Sequence, residues 1–243
     1  MNHVRARLLP LLLFVTLLGG CGIIDYMYLP VPEDTAQELW EAGVDHMNQT
    51  DYYRAARYFT QLKDRYPFSP YTVQAELALG DALFLNGDYE AAMDAYLEFE
   101  MLHPRHEEMP YVLFQIGVSG YKAFTTIDRP QPLVAEGIQY LRRLQETYPD
   151  SAYAEEATEY IRLSREILAK RELFVADFYW KRERFNGAWS RYTYVAENFG
   201  DLPEYAEYAR RQAELSYLRF QQQASENVLR RQHGSWRDYF QWL

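Results

Sequence analysis

Cys21 is the only cysteine in 243 residues, so no disulfide can form within the chain. Long hydrophobic runs are missing too. The apolar stretch Leu8–Leu18 has 11 residues, broken by Pro10 and Thr16, whereas a spanning helix needs about 20. There is no Gly-rich phosphate loop. "GVSG" at 117–120 is half a nucleophile elbow without its second glycine at the required spacing. Cations are in deficit: 25 Lys and Arg face 35 Asp and Glu, for a net charge of −10. Setting aside the first 20 residues leaves 23 cations against 35 acids, or −12. Phosphate binding needs clustered Lys and Arg, so the acidic balance argues against nucleic acid as a partner. Aromatics, by contrast, are plentiful. With 22 Tyr, 13 Phe and 16% aromatics overall, this is not the composition of a disordered chain.

The N-terminus reads as an export signal. Arg5 and Arg7 form a positive n-region, Leu8–Leu18 an apolar core, and Gly19-Gly20 a small-residue cleavage zone. In an exported chain a lone thiol has no disulfide partner. Leu18-Gly19-Gly20-Cys21 resembles the bacterial lipoprotein box, in which the thiol receives a diacylglyceryl group and the amine freed by cleavage is acylated as well. Two or more acyl chains anchor stably where one does not. An ordinary signal peptide with a coincidental cysteine is the alternative reading. Gly22 follows the cysteine in place of an Asp, which by the same resemblance implies the outer membrane, inner leaflet, facing the periplasm. The expectation is a signal peptide over 1–20 and a lipidated tether over 21–34.

The rest of the chain repeats. Gly43, Tyr52, Ala55, Phe59 and Pro67 recur 37 residues later as Gly80, Tyr89, Ala92, Tyr96 and Pro104. The order small, aromatic, Ala, aromatic, Pro is that of a tetratricopeptide repeat (TPR), a pair of antiparallel helices. Small residues let the helices approach, aromatics fill the space between them, and Pro ends the second. Gly117, Gly137, Leu141 and Pro149 mark a third unit, with "TTIDRPQPLV" (125–134) as an extended loop. Ala176, Phe185, Ala188 and Tyr192 mark a fourth that closes at Gly200. No Gly or Pro occurs from Ser151 to Arg182, which predicts one lengthened helix or two abutting ones. A fifth unit starts at Pro203 with its second helix in 224–241. The expected fold is therefore an all-α, TPR-type helical-hairpin solenoid of about five repeats, over 35–69, 70–106, 107–150, 151–202 and 203–243.

No catalytic constellation stands out in the sequence. His103 and His106 straddle Pro104 in an inter-repeat turn and read as a solvated loop, not a metal site. Carboxylates such as Glu155-Glu156 have the spacing of helix surfaces. With Cys21 acylated, a cysteine nucleophile is excluded. The chain reads as a non-enzyme, with no cofactor and no metal.

The segments "RYPFSPY" (65–71), "HPRHEEMPYVLFQIG" (103–117), "IDRPQP" (127–132) and "ELFVADFYWKRERFNGA" (172–188) resemble the BamD (ComL) family, lipoproteins of the outer-membrane β-barrel assembly machinery. The resemblance covers nearly the whole chain. Two places depart from it: a shorter loop in repeat three and an aromatic C-terminus, "GSWRDYFQWL" (234–243). The family implies binding of unfolded outer-membrane proteins, of the barrel subunit BamA and of other Bam lipoproteins. It also implies a BamA contact at Arg191, three residues after Ala188. From the repeats themselves, if Gly43, Gly80 and Gly117 occupy position 8, positions 5 and 12 are Trp40, Met47, Leu77, Phe84, Phe114 and Tyr121. An all-apolar set on a groove-facing stripe reads either as a binding face for aromatic-ended peptides or as buried core. The alternative function is another periplasmic TPR lipoprotein, scaffolding envelope division or peptidoglycan machinery. A cell-wall-active enzyme is a third.

Overall fold

The structure, a computed structural model, is described for residues 34–233. The expected signal peptide, Cys21, the expected tether before Asp34 and the aromatic segment 234–243 lie outside the described residues. Within them are nine α-helices and no strand: α1 (Ala36–Asn48), α2 (Tyr52–Arg65), α3 (Thr72–Asn86), α4 (Tyr89–Leu102), α5 (Met109–Lys122), α6 (Pro132–Thr147), α7 (Ala152–Lys181), α8 (Phe185–Asn198) and α9 (Pro203–His233). Each packs on the next in sequence, and α7 also reaches back to α5. This is the all-α helical-hairpin solenoid expected from the 37-residue period.

Local chemistry sets the ends of the helices. Thr35 and Glu38 form a capping box at the start of α1, with Thr35 N–H donating to Glu38 Oε2 at 2.7 Å. Helices α2, α4 and α6 stop at Arg65, Leu102 and Thr147, two residues before Pro67, Pro104 and Pro149, because proline disfavours helical backbone in the residue before it. A β-turn follows each one. Ser69 N–H donates to Tyr66 O (3.0 Å), His106 N–H to His103 O (2.9 Å) and Ser151 N–H to Tyr148 O (3.0 Å). Leu202 N–H and Phe199 O (3.0 Å) make the fourth such turn, around Gly200. The turns inside repeats one, two and four share another geometry: Thr50, Gly87 and Glu183 all have positive φ, at 59°, 87° and 55°. Only Gly87 adopts it without a Cβ penalty.

Packing explains the small residues at the repeat positions. A Cβ on Gly43 would lie 2.3 Å from Phe59, one on Gly80 2.6 Å from Tyr96, and one on Gly117 2.2 Å from Leu141. In each hairpin the glycine is the hole that the facing side chain fills, and Phe59, Tyr96 and Leu141 are fully buried. Between α5 and α6 the approach is backbone to backbone, since a Cβ on Gly120 would meet Leu133 O at 2.5 Å. Three core clusters result. They centre on Leu39, Phe59 and Leu62; on Tyr96, Phe99, Ile116 and Leu144; and on Ala176, Tyr192 and Val195. Helix α7 is a beam shared by the second and third. Between its apolar ends lie Arg162, Arg165 and Glu166, ion-paired to Glu159, Asp201 and Lys170 respectively.

The structure corrects four sequence expectations or narrows them. Segment 152–181 is one helix of 30 residues, not two. The fifth unit has no second helix beginning near 224, because α9 continues unbroken to His233; no Gly or Pro lies between Pro203 and His233 to stop it. The loop of repeat three ends earlier than 134, because Pro132 takes the first helical position of α6. His103 and His106 are not simply solvated. Both rings pack on Phe99, at centroid distances of 4.9 and 5.2 Å, and His103 Nε2 pairs with Glu76.

Candidate functional site

The apolar stripe lies on the first helices of the first three repeats, and its rungs are not equally open. Trp40 and Met47 of α1 are half-buried; the Trp40 ring lies 5.5 Å from Phe59 and 6.4 Å from Tyr71. Leu77 and Phe84 of α3 are also half-buried, and Phe84 meets Tyr89 edge-on at 5.4 Å. On α5 the expectation of an open groove residue fails at Phe114, which is only 8% exposed. Its ring is enclosed by Tyr153 (5.4 Å) and Tyr160 (5.5 Å) of α7, and Tyr160 also packs on half-buried Tyr121 (5.6 Å). The cause is the docking of the first turns of α7, which carry Tyr153 and Tyr160, back onto α5. The sequence carried the signal. Tyr153 and Tyr160 are seven residues apart on one helix, as are Phe114 and Tyr121, so the two pairs match as facing ladders. Four half-buried apolar side chains on α1 and α3 remain as the open part of the stripe, continued by Tyr121.

On this same face of α3, between Leu77 and Phe84, and again on α7 near the C-terminal end, a polar clamp ties one repeat to the next. Asp81 Oδ1 accepts from Tyr96 O–H at 2.7 Å and from Tyr111 O–H at 2.6 Å. Asp177 Oδ1 accepts from Tyr192 O–H and, at 3.3 Å, from Tyr208 O–H. In both cases the Asp follows the small residue of a first helix, the first Tyr comes from the partner helix, and the second from the next repeat. Burial pushes the Asp81 carboxyl above the ordinary carboxylate range, against the opposing pull of the two hydroxyls. Burial likewise raises Tyr96, Tyr111 and Tyr192 above the usual phenol range, with the neighbouring carboxylate adding to it. Such a satisfied buried network fixes geometry. Sequence reading missed both clamps, although Gly80-Asp81 with Tyr96 and Ala176-Asp177 with Tyr192 share one spacing.

Arg191 sits on the outer edge of α8. Ala188 and Tyr192 on either side of it are buried, while Arg191 is exposed. Its guanidinium is already engaged within the chain, with Nη1 donating to Glu172 Oε2 of α7 at 2.7 Å. Among the described residues no group of three or more His, Cys, Asp or Glu is placed to hold a metal, and no helix is long and apolar enough to cross a membrane.

Comparison with known families bears on this geometry. The model of the YfiO family, described as outer membrane lipoprotein, matches residues 32–230. The chain belongs to this family. A relative in Vibrio cholerae serotype O1, an outer membrane protein assembly factor BamD, is 28% identical over 231 residues, covering 90% of this chain and 92% of the relative. The protein of the same name in Rickettsia prowazekii is 28% identical over 195 residues, covering 79% and 76%. The one in Neisseria gonorrhoeae is 26% identical over 167 residues, covering 65% and 62%. The family match spans all nine helices except the last three residues of α9, so the open stripe, both clamps and Arg191 lie inside it.

Proposed function

We propose that this chain is a non-enzymatic assembly factor for outer-membrane β-barrel proteins: a lipoprotein anchored through Cys21 in the inner leaflet of the outer membrane and facing the periplasm. The observation that carries the proposal is the match, along nearly the whole chain, to relatives named outer membrane protein assembly factor BamD. The stripe of Trp40, Met47, Leu77 and Phe84, continued by Tyr121, receives the aromatic-ended strands of unfolded outer-membrane proteins. Half-buried apolar rows of this kind are where extended peptides dock. Phe114 supports the stripe from beneath and does not touch substrate. The surface around Arg191 contacts BamA, whose acidic carboxylate competes with Glu172 for the guanidinium fork.

Catalysis of insertion is left to the barrel partner. The role of this chain is to hold a substrate segment and the partner at a fixed separation along α7. Co-purification from detergent-solubilised outer membrane tests the proposal. Recovery of a BamA-sized barrel protein supports it, and recovery of only division or peptidoglycan proteins replaces it.

A further inference from the structure

We propose that the turn between the first two repeats, with the cationic face of α2, rests on the anionic lipid surface and inserts the Phe68 ring into it. This rests on the reading of Cys21 as a lipid anchor. The first observation comes from comparing the four inter-repeat turns. Each closes through the same backbone hydrogen bond, and the residue two places after the accepting carbonyl is Phe68, Arg105, Asp150 or Asp201. All four are exposed. Three carry a charge, as a solvated position should, but the first carries a phenylalanine that is 99% exposed. Pro67 and Pro70 on either side are exposed too, making a rigid apolar tip that the fold does not use.

The second observation is charge. Helix α2 carries Arg54, Arg57, Lys63 and Arg65 against one acid, Asp64, in a chain of net −10. Its counterpart one repeat later, α4, carries four acids and no cation, so the hairpin packing does not require a basic helix. Arg57 and Arg65 are exposed and have no ion-pair partner among the described residues. Cations flanking an exposed aromatic ring are the arrangement by which a protein lies on anionic headgroups.

The third is position. Tyr66, two residues before Phe68, donates its hydroxyl to Asp34 O at 2.7 Å, so the point where the N-terminal chain leaves the described fold is pinned beside this turn. Twelve residues lie between Cys21 and Asp34, and at no more than ~3.6 Å each they keep the turn within reach of the bilayer. The anchor brings this end to the membrane, and the Phe68 tip with its arginines decides which face meets it.

The test uses the full lipidated chain. With Cys21 acylated, Phe68→Cys introduces the only free thiol, which takes an environment-sensitive fluorophore. Gln223→Cys, exposed on α9, is the reference. In phosphatidylethanolamine–phosphatidylglycerol vesicles, the label at 68 should be quenched by brominated acyl chains. It should also be shielded from aqueous iodide several-fold more than the label at 223, and the shielding should shrink when phosphatidylglycerol is omitted or Arg57 and Arg65 are changed to Ser. Equal iodide quenching at both sites in firmly bound protein overturns this inference and leaves the anchor standing. A titratable thiol at Cys21, or failure of the wild type to float with vesicles, overturns both. Shielding that needs a second protein in the vesicles makes the turn a protein contact and also overturns the inference.

Discussion

Replacing Asp81 separates what its hydrogen bonds contribute from what its charge costs. In Asp81→Ala the hydroxyl of Tyr96, a fully buried residue, loses its acceptor. Tyr111 lies nearer solvent and keeps a bond from Gln115 Nε2 at 2.9 Å. An unpaired buried polar group costs about 1–3 kcal/mol, so Asp81→Ala should lose that much, most of it at Tyr96. Asp81→Asn retains an oxygen able to accept from both hydroxyls and removes the charge whose burial raises the pKa; it should cost less than about 1 kcal/mol. The pH dependence gives a second, independent readout. The native carboxyl, with its raised pKa, holds a proton that the unfolded chain releases. Its contribution to stability is therefore greatest below the unfolded pKa and falls as pH rises through the native one. Urea unfolding of wild type and Asp81→Asn between acid and neutral pH should show the wild type losing ground to the variant as pH rises, then a constant difference. An Asn variant as unstable as the Ala variant, or a difference unchanged across this range, would show that Asp81 is not the buried acceptor described.

Three other perturbations follow from the surfaces. Trp40→Ala and Phe84→Ala, at half-buried positions, should weaken binding of a peptide copied from the C-terminal strand of an outer-membrane protein. Their stability loss should stay well below that of Phe114→Ala, for which about 3–5 kcal/mol is expected; peptide titration and thermal unfolding of all three decide it. Arg191→Glu should release BamA in a pull-down at a stability cost under about 1 kcal/mol, since exposed pairs contribute little. Adding Glu172→Arg should restore the internal pair but not BamA recovery, and full recovery in the double variant would make the pair purely structural. Cys21→Ala should shift the protein from the membrane to the soluble periplasmic fraction or leave it as uncleaved precursor; normal outer-membrane fractionation would refute the anchor.

The hairpins were legible in the sequence because a 2.3–2.6 Å clash at Gly43 and Gly80 leaves glycine as the residue that fits opposite a buried aromatic ring. That constraint writes itself into the chain every 37 residues. The proline punctuation was legible for a similar reason, being a local backbone effect. Where reading followed the repeat template against local chemistry it failed, as in dividing α9, which contains no breaker after Pro203. Phe114 was misplaced because its burial depends on Tyr153 and Tyr160 arriving from α7, a tertiary contact that the spacing within α5 cannot announce. The clamps escaped because an Asp on a helix reads as solvated until the two tyrosines that enclose it, 15 residues away and 30 or 31 residues away, are brought together by the fold. Arg191 is proposed through family resemblance alone. Nothing in its own neighbourhood distinguishes it from other exposed helix arginines, and its bond to Glu172 became visible only in the structure.

The central claim is that outer-membrane β-barrels fold and insert through this chain. The most direct measurement is the amount of folded barrel protein, read by heat-modifiable migration on gels, in outer membranes of the native host as the chain is depleted. The account predicts that folded barrels of unrelated sequence decline together while lipoproteins and inner-membrane proteins hold steady, and that wild-type protein restores them. Undiminished folded barrels accompanied by a defect in division or peptidoglycan would contradict it.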